Sequence, residues 1–88
     1  MLTDREIAYE QNVTGLETAW ADRIASFATE AVEQLASTCG DDVDGLRLEA
    51  TEVVAARLLN SDRWANVKAT DVSDIAYEAV DREIASRR

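Results

Sequence analysis

Apolar and polar residues alternate along this chain with the period of an α-helix. In the clearest run, apolar residues lie three or four positions apart: Leu16, Trp20, Ile24, Phe27, Ala31 and Leu35. This spacing predicts one face of a long amphipathic helix. Thr14 and Glu17 have the spacing of a capping pair at its start. Its predicted end lies near Cys39, where Gly40 can terminate the helix with a left-handed residue.

A short helix is predicted before the long one and a third helix after it. The short helix should run from about residue 4 to about residue 12, with Thr3 and Glu6 as its capping pair. The third should run from residue 45 or 46 to about residue 59, with Asp44 as its N-cap. Most of its circumference is apolar: Leu46, Leu48, Ala50, Val53, Val54, Ala55, Ala56, Leu58 and Leu59.

A helix that is apolar on most sides needs several neighbours, so we expect other subunits to cover part of the third helix. The alternative is a self-contained four-helix bundle. A fourth helix should begin at Thr70 and Asp71, and Arg87 and Arg88 suit the negative end of its dipole. The sequence therefore predicts an all-α single domain over residues 1–88: a short helix, a long helical hairpin and a final helix.

The net charge of the chain limits the kinds of molecule that it can bind. The chain has 18 acidic and 9 basic residues, a formal net charge of -9 and a pI near 4.3, and Lys68 is its only lysine. Such a surface repels nucleic acid phosphates and anionic membranes. Scattered acids with few lysines are typical of proteins adapted to molar salt, so a halophilic host is expected. The alternative is an ordinary acidic protein from a GC-rich genome.

The sequence contains few residues that could act in catalysis or bind a metal. Histidine is absent, which removes the commonest general base and zinc ligand. Cys39 lies at a predicted helix C-terminus beside Asp41 and Asp42, where the pKa of a thiol rises, so we assign it a packing role. The loop at residues 40–45 lacks two ligands that a calcium loop requires. We expect no catalytic residue, cofactor or metal, and therefore no enzyme.

Location follows from the same sequence features. Asp4, Arg5 and Glu6 do not fit a signal peptide, and the longest purely apolar stretch, residues 53–56, is too short to span a bilayer. We expect a cytoplasmic or virion protein without a membrane partner.

Trp64 with Arg63 is the best interface prediction in the sequence. Trp64 follows the end of the third helix in a segment without helical periodicity, and tryptophan and arginine are enriched in binding hot spots. Leu58 and Leu59, at the end of the third helix, complete the predicted interface. The alternative for Trp64 is that it only caps the hairpin. Trp20 is assigned to the core because it lies on the apolar face of the long helix.

Residues 21–64 resemble head-to-tail connector (adaptor) proteins of tailed viruses. The resemblance lies in a long helix, a glycine and acidic loop, and an alanine-rich helix that includes residues 46–50 and 54–60 and ends in leucines and a polar turn. It implies a small helical bundle that assembles as a ring under the portal and contacts portal or tail proteins. No proline precedes the third helix, and no residue in the segment is diagnostic.

These features predict a non-enzymatic structural protein that forms homo-oligomers, most specifically a virion connector ring. The alternative is a small acidic regulatory module, such as an inhibitor, a nucleic-acid mimic or an antitoxin-like protein. A ring should bury Trp64 or the third helix between copies, whereas an inhibitor should remain a monomer or dimer with exposed rows of acids.

The charge imbalance yields a first prediction. Potassium chloride should raise the thermal unfolding midpoint steeply, because about 1 M salt screens repulsion among the carboxylates to within a few ångströms. Circular dichroism across a salt series measures this midpoint. A midpoint that is independent of salt would contradict the halophilic assignment.

Overall fold

A computed structural model describes residues 2–87. Its elements in chain order are α1 (Asp4–Ala19), α2 (Ala21–Cys39), α3 (Val43–Leu59), the 3₁₀ helix η1 (Asp62–Trp64) and α4 (Ala69–Ser86). No strand occurs within the described range. The predicted all-α, four-helix architecture is confirmed.

Three of the four helices build the core. Helices α2, α3 and α4 pack against one another, whereas α1 contributes no buried residue. Alanines on the facing surfaces, among them Ala28, Ala50 and Ala76, are almost fully buried and let the helix axes approach closely. The largest fully buried side chains are Trp64, Leu58, Val32, Val54, Val72 and Val80.

Helix α1 is attached at the end of the bundle where α4 begins. Val13 and Leu16 are partly buried against the core. The Tyr9 hydroxyl donates a hydrogen bond to the Asp71 carboxylate at 2.5 Å and accepts one from the backbone N–H of Lys68 at 2.9 Å. Loss of solvent, and then the bond to Asp71, raise the pKa of Tyr9. A polar contact therefore fastens the outer part of α1.

The predicted break between the first two helices is wrong. Helix α1 continues through Thr14 and Gly15 to Ala19, and the chain bends only at Trp20, where φ is -104° and ψ is 7°. Thr14 does not cap a helix: its carbonyl accepts a 3.0 Å hydrogen bond from the Thr18 hydroxyl inside α1. The physical reason is packing, because continuation of the helix keeps the apolar face in phase and holds its residues against the core.

The start of α3 also differs from the prediction. Asp42, not Asp44, is the N-cap, and its carboxylate accepts a 3.0 Å hydrogen bond from the Gly45 N–H. Asp44 instead pairs with Arg47 at 3.3 Å. Gly40 adopts a positive φ of 61°, as predicted. Because the turn at Gly40 is tight, α3 begins at Val43, earlier than the predicted start at residue 45 or 46.

The start of α4 lies one residue before the predicted capping residues. Lys68 is the N-cap without a side-chain cap, and Thr70 and Asp71 lie in the first turn. The Asp71 side chain contacts Tyr9 of α1 instead of capping its own helix. Arg87 is the C-cap residue, and the prediction for Arg88 lies outside the described residues.

Ion pairs link the helices across the surface. Arg47 of α3 lies 3.1 Å from Asp81 of α4, measured from Nε to Oδ1, although without the alignment of a hydrogen bond. This pair joins the beginning of α3 to the end of α4, so the two helices run antiparallel. Exposed ion pairs contribute about 0–1 kcal/mol each, so the apolar core sets the register and the pair only reinforces it.

Two glycine substitutions test these assignments. Gly15→Ala should stabilise the protein by about 0.5–1 kcal/mol, because Gly15 lies inside α1 and an added methyl group meets no atom within 4 Å. Gly40→Ala should cost about 1–2 kcal/mol, because its φ of +61° disfavours any residue with a Cβ. Urea unfolding followed by circular dichroism compares the two variants. A destabilised Gly15→Ala variant would contradict the uninterrupted α1.

Candidate interaction surface

The side of α3 that faces away from the core carries exposed apolar residues. Leu48 is 63% exposed and Leu59 is 47% exposed. They are eleven positions apart, which is close to three helical turns, so they lie on the same face roughly 16 Å apart. Glu52 and Ala56 lie between them and are also exposed. We call these four residues the outer α3 face.

Tyr77 extends this face onto α4. Its side chain is 43% exposed. The register of the Arg47–Asp81 pair places Tyr77, one turn before Asp81, at the level of Thr51, one turn after Arg47. Contiguous exposed apolar patches are the usual sign of an interaction site, so the outer α3 face with Tyr77 is the candidate interaction surface.

The groove between α2 and α4 lies on the opposite side of the bundle from the outer α3 face. It encloses about 600 Å³. Ile24 and Ala79 lie at its base and are almost fully buried, whereas Ala25 is exposed. Glu78 and Arg82 are among the charged residues that line it. The molecule thus presents an apolar ridge on one side and a partly apolar groove on the other.

The four predicted interface residues separate into two pairs. Trp64 and Leu58 are each 0% exposed and belong to the core. Within one copy of the chain neither side chain is accessible to a partner, because a short 3₁₀ turn after α3 directs Trp64 back into the bundle. Arg63 and Leu59 are exposed, and Leu59 belongs to the outer α3 face.

Trp64 packs against Trp20, which is partly buried against the core. Their ring centroids are 6.0 Å apart and the planes meet at 84°, an edge-to-face arrangement. The Arg23 guanidinium lies 4.7 Å from the centroid of the Trp20 ring and makes a cation–π contact with it. The indole N–H of Trp64 is buried without a hydrogen-bond partner within the described residues. The aromatic pair joins the bend between α1 and α2 to η1.

Cys39 is half-buried at the end of α2. Its thiol lies 3.4 Å from the Glu49 carboxylate of α3. Loss of solvent is the main cause that raises the pKa of Cys39, and Glu49 raises it further through its hydrogen bond and charge. Asp42 adds a smaller effect in the same direction. Cys39 thus forms a contact between α2 and α3 with suppressed thiolate character.

Among residues 2–87, no three His, Cys, Asp or Glu side chains converge as a metal site requires. None of the described helices combines the length and the apolar character needed to cross a bilayer. Comparisons of the chain with family models, curated proteins and solved structures find no match.

Two members of the surface were missed as sites from the sequence. Leu48 belonged to the all-round apolar pattern of the third helix, but the pattern alone could not identify which side lies outward. No feature of the sequence marked Tyr77, since its exposure depends on which face α4 turns toward α3. Only the packing of three helices selects which apolar residues remain uncovered.

Two neighbouring substitutions test the separation of core and surface. Trp64→Ala should destabilise the protein by about 3–5 kcal/mol, because it leaves a large cavity beside Trp20. Arg63→Ala should change stability by no more than about 0.5 kcal/mol, since its side chain is exposed. Chemical unfolding measures both variants. Equal effects of the two substitutions would contradict the placement of Trp64.

Proposed function

We propose that this chain is a non-enzymatic assembly protein that binds copies of itself through the outer α3 face. The exposure of Leu48 and Leu59 on one face of α3 carries this proposal. Each fully buried leucine contributes roughly 1.5–3 kcal/mol relative to an exposed one, so the two residues can supply a substantial part of an interface.

The shape of the bundle favours a head-to-tail arrangement. The ridge formed by Leu48 and Leu59 and the groove beside Ile24 and Ala25 lie on opposite sides of the molecule. If the ridge of one copy enters the groove of the next, each copy uses two different surfaces. Such heterologous contacts close into a ring when the rotation between copies permits it.

The most specific form of the proposal is a connector ring between the head and tail of a virion, with portal or tail proteins as further partners. Its support is the resemblance of residues 21–64, a segment that comprises α2, α3 and η1. The proposed location is then the virion, or the host cytoplasm before assembly. A net charge of -9 on each copy opposes association in dilute buffer, so the ring should form best in high salt.

A second proposal is a small acidic regulatory module that binds a basic protein. One observation favours it: only five of the 18 acidic residues take part in ion pairs within the described range. Most of the remaining carboxylates are exposed to solvent, where they can attract a cationic partner. In that case the chain should be a monomer or dimer by itself.

Light scattering in dilute buffer and in about 1 M potassium chloride tests the first proposal. A defined oligomer is expected in high salt. The double variant Leu48→Gln with Leu59→Gln should reduce its mass to that of a monomer, because the outer α3 face loses its apolar residues. Glutamine keeps the helix propensity and the net charge.

Ile7→Gln is the matched control, because Ile7 is 41% exposed on α1 and lies outside the outer α3 face. This variant should retain the mass of the unmodified chain. A strict monomer or dimer under both salt conditions would contradict self-assembly and favour the regulatory module. An oligomer unaffected by the double substitution would show that another surface holds the copies together.

A further inference from the structure

We infer that α1 is an exchangeable arm, which leaves its own bundle and occupies the same position on a second copy of the chain. The surface involved is the seat of α1 at Lys68 and Asp71, not the outer α3 face. The inference therefore goes beyond the proposed function and stands or falls independently of it.

The first observation is a single apolar face that continues through the bend. Residues on this face lie three or four positions apart on both sides of Trp20: Tyr9, Val13, Leu16, Trp20, Ile24 and Phe27. If α1 and α2 were unrelated helices, their apolar faces would not need to line up across the bend. The pattern is the one expected of a single straight amphipathic helix that continues from α1 into α2.

The second observation is that one residue separates the two helices. Trp20 departs from helical geometry, with φ of -104° and ψ of 7°, whereas helical hydrogen bonds continue on both sides of it. Its N–H bonds to the Leu16 carbonyl at 2.8 Å, and its carbonyl accepts from the Ile24 N–H at 2.8 Å. Changes of roughly 40–50° in both φ and ψ at Trp20 would give a single helix from Asp4 to Cys39, roughly 54 Å long.

The third observation is the weak attachment of α1 to its own bundle. None of its residues is buried, and Val13 and Leu16 are only partly covered. The outer half is held by the Tyr9 hydroxyl, which bonds to Asp71 and to the Lys68 N–H, and by the Lys68 ammonium 5.3 Å from the Tyr9 ring. Few apolar contacts are therefore lost when α1 leaves.

A second copy offers the departing arm the same partners. Because the seat is identical in every copy, Tyr9 of one chain meets Asp71 and Lys68 of another with the contacts it had before. Exchange of an identical element is a low-cost route to association, since no new complementary surface is needed. Repulsion between two chains of charge -9 opposes it, so about 1 M potassium chloride should favour the exchanged form.

Cross-linking between chains tests the exchange. In a Cys39→Ser background, Glu10→Cys places a thiol on α1 and Lys68→Cys places one across the same cleft. The two single-cysteine chains, one of them isotope-labelled, are unfolded together, refolded in high salt and treated with a short bismaleimide. Exchange should produce a mixed covalent dimer, identified by its mass.

Two controls make the result decisive. A chain that carries both Glu10→Cys and Lys68→Cys should cross-link within or between chains, which shows that the two thiols are within reach of the reagent. Ser37→Cys mixed with Lys68→Cys should give no mixed dimer, since Ser37 lies near the end of α2 at the far end of the bundle.

A further variant changes the residues on either side of the bend at Trp20. Ala19→Gly with Ala21→Gly disfavours a continuous helix, because glycine is a poor helix former, and it should lower the yield of mixed dimer at least about tenfold. Circular dichroism checks that this variant still folds. Efficient linkage in the doubly substituted chain without any mixed dimer from the paired single variants would overturn the inference, and so would a yield unchanged by the two glycines.

Discussion

The edge-to-face contact of Trp64 with Trp20 connects parts of the chain that are 44 positions apart, and the other packing at this end of the bundle depends on it. Trp64 reaches the core because η1 turns the chain inward directly after α3. Trp20 reaches it because it lies on the apolar face that continues through Ile24 and Phe27 of α2. With both rings in place, α1 lies across the start of α4, where Tyr9 bonds to Asp71 and Lys68.

Around this contact the core is narrow, since alanines and valines supply most of its buried side chains. Such residues permit close helix packing but remove little apolar area from water each, so a domain of 88 residues gains limited stability from them. A surface with a net charge of -9 reduces that stability further through self-repulsion. The same two properties, a small core and uncompensated carboxylates, explain why both folding and association should depend on salt.

The exposed apolar residues have a simple origin in this geometry. Helix α3 packs between α2 and α4 on one side, and two neighbours cannot cover a helix that is apolar on most of its circumference. Leu48 and Leu59, together with Val43 at the first position of α3, are the large apolar residues that remain exposed. The bend at Trp20 leaves α1 in a comparable situation, attached by Tyr9 without any buried residue of its own. The two proposed contacts between copies therefore follow from one fact, that three helices make the core of a four-helix chain.

Helical period and breaker residues determined the all-α class, the hairpin of α2 and α3, and the turn at Gly40, because each depends on neighbours in sequence. The core assignment of Trp20 followed from the same period. The capping pair of Thr3 and Glu6 did determine where α1 begins. The other capping signals did not set helix starts: Thr14 lies inside α1, and Asp44 and Asp71 form other contacts, since packing outweighs a cap worth about 1 kcal/mol. Of the predicted interface residues, Leu59 and Arg63 lie on the surface, whereas Trp64 and Leu58 lie in the core. Sequence determined which residues are apolar, and only the rotation of each helix against its neighbours decided which of them water and partners can reach.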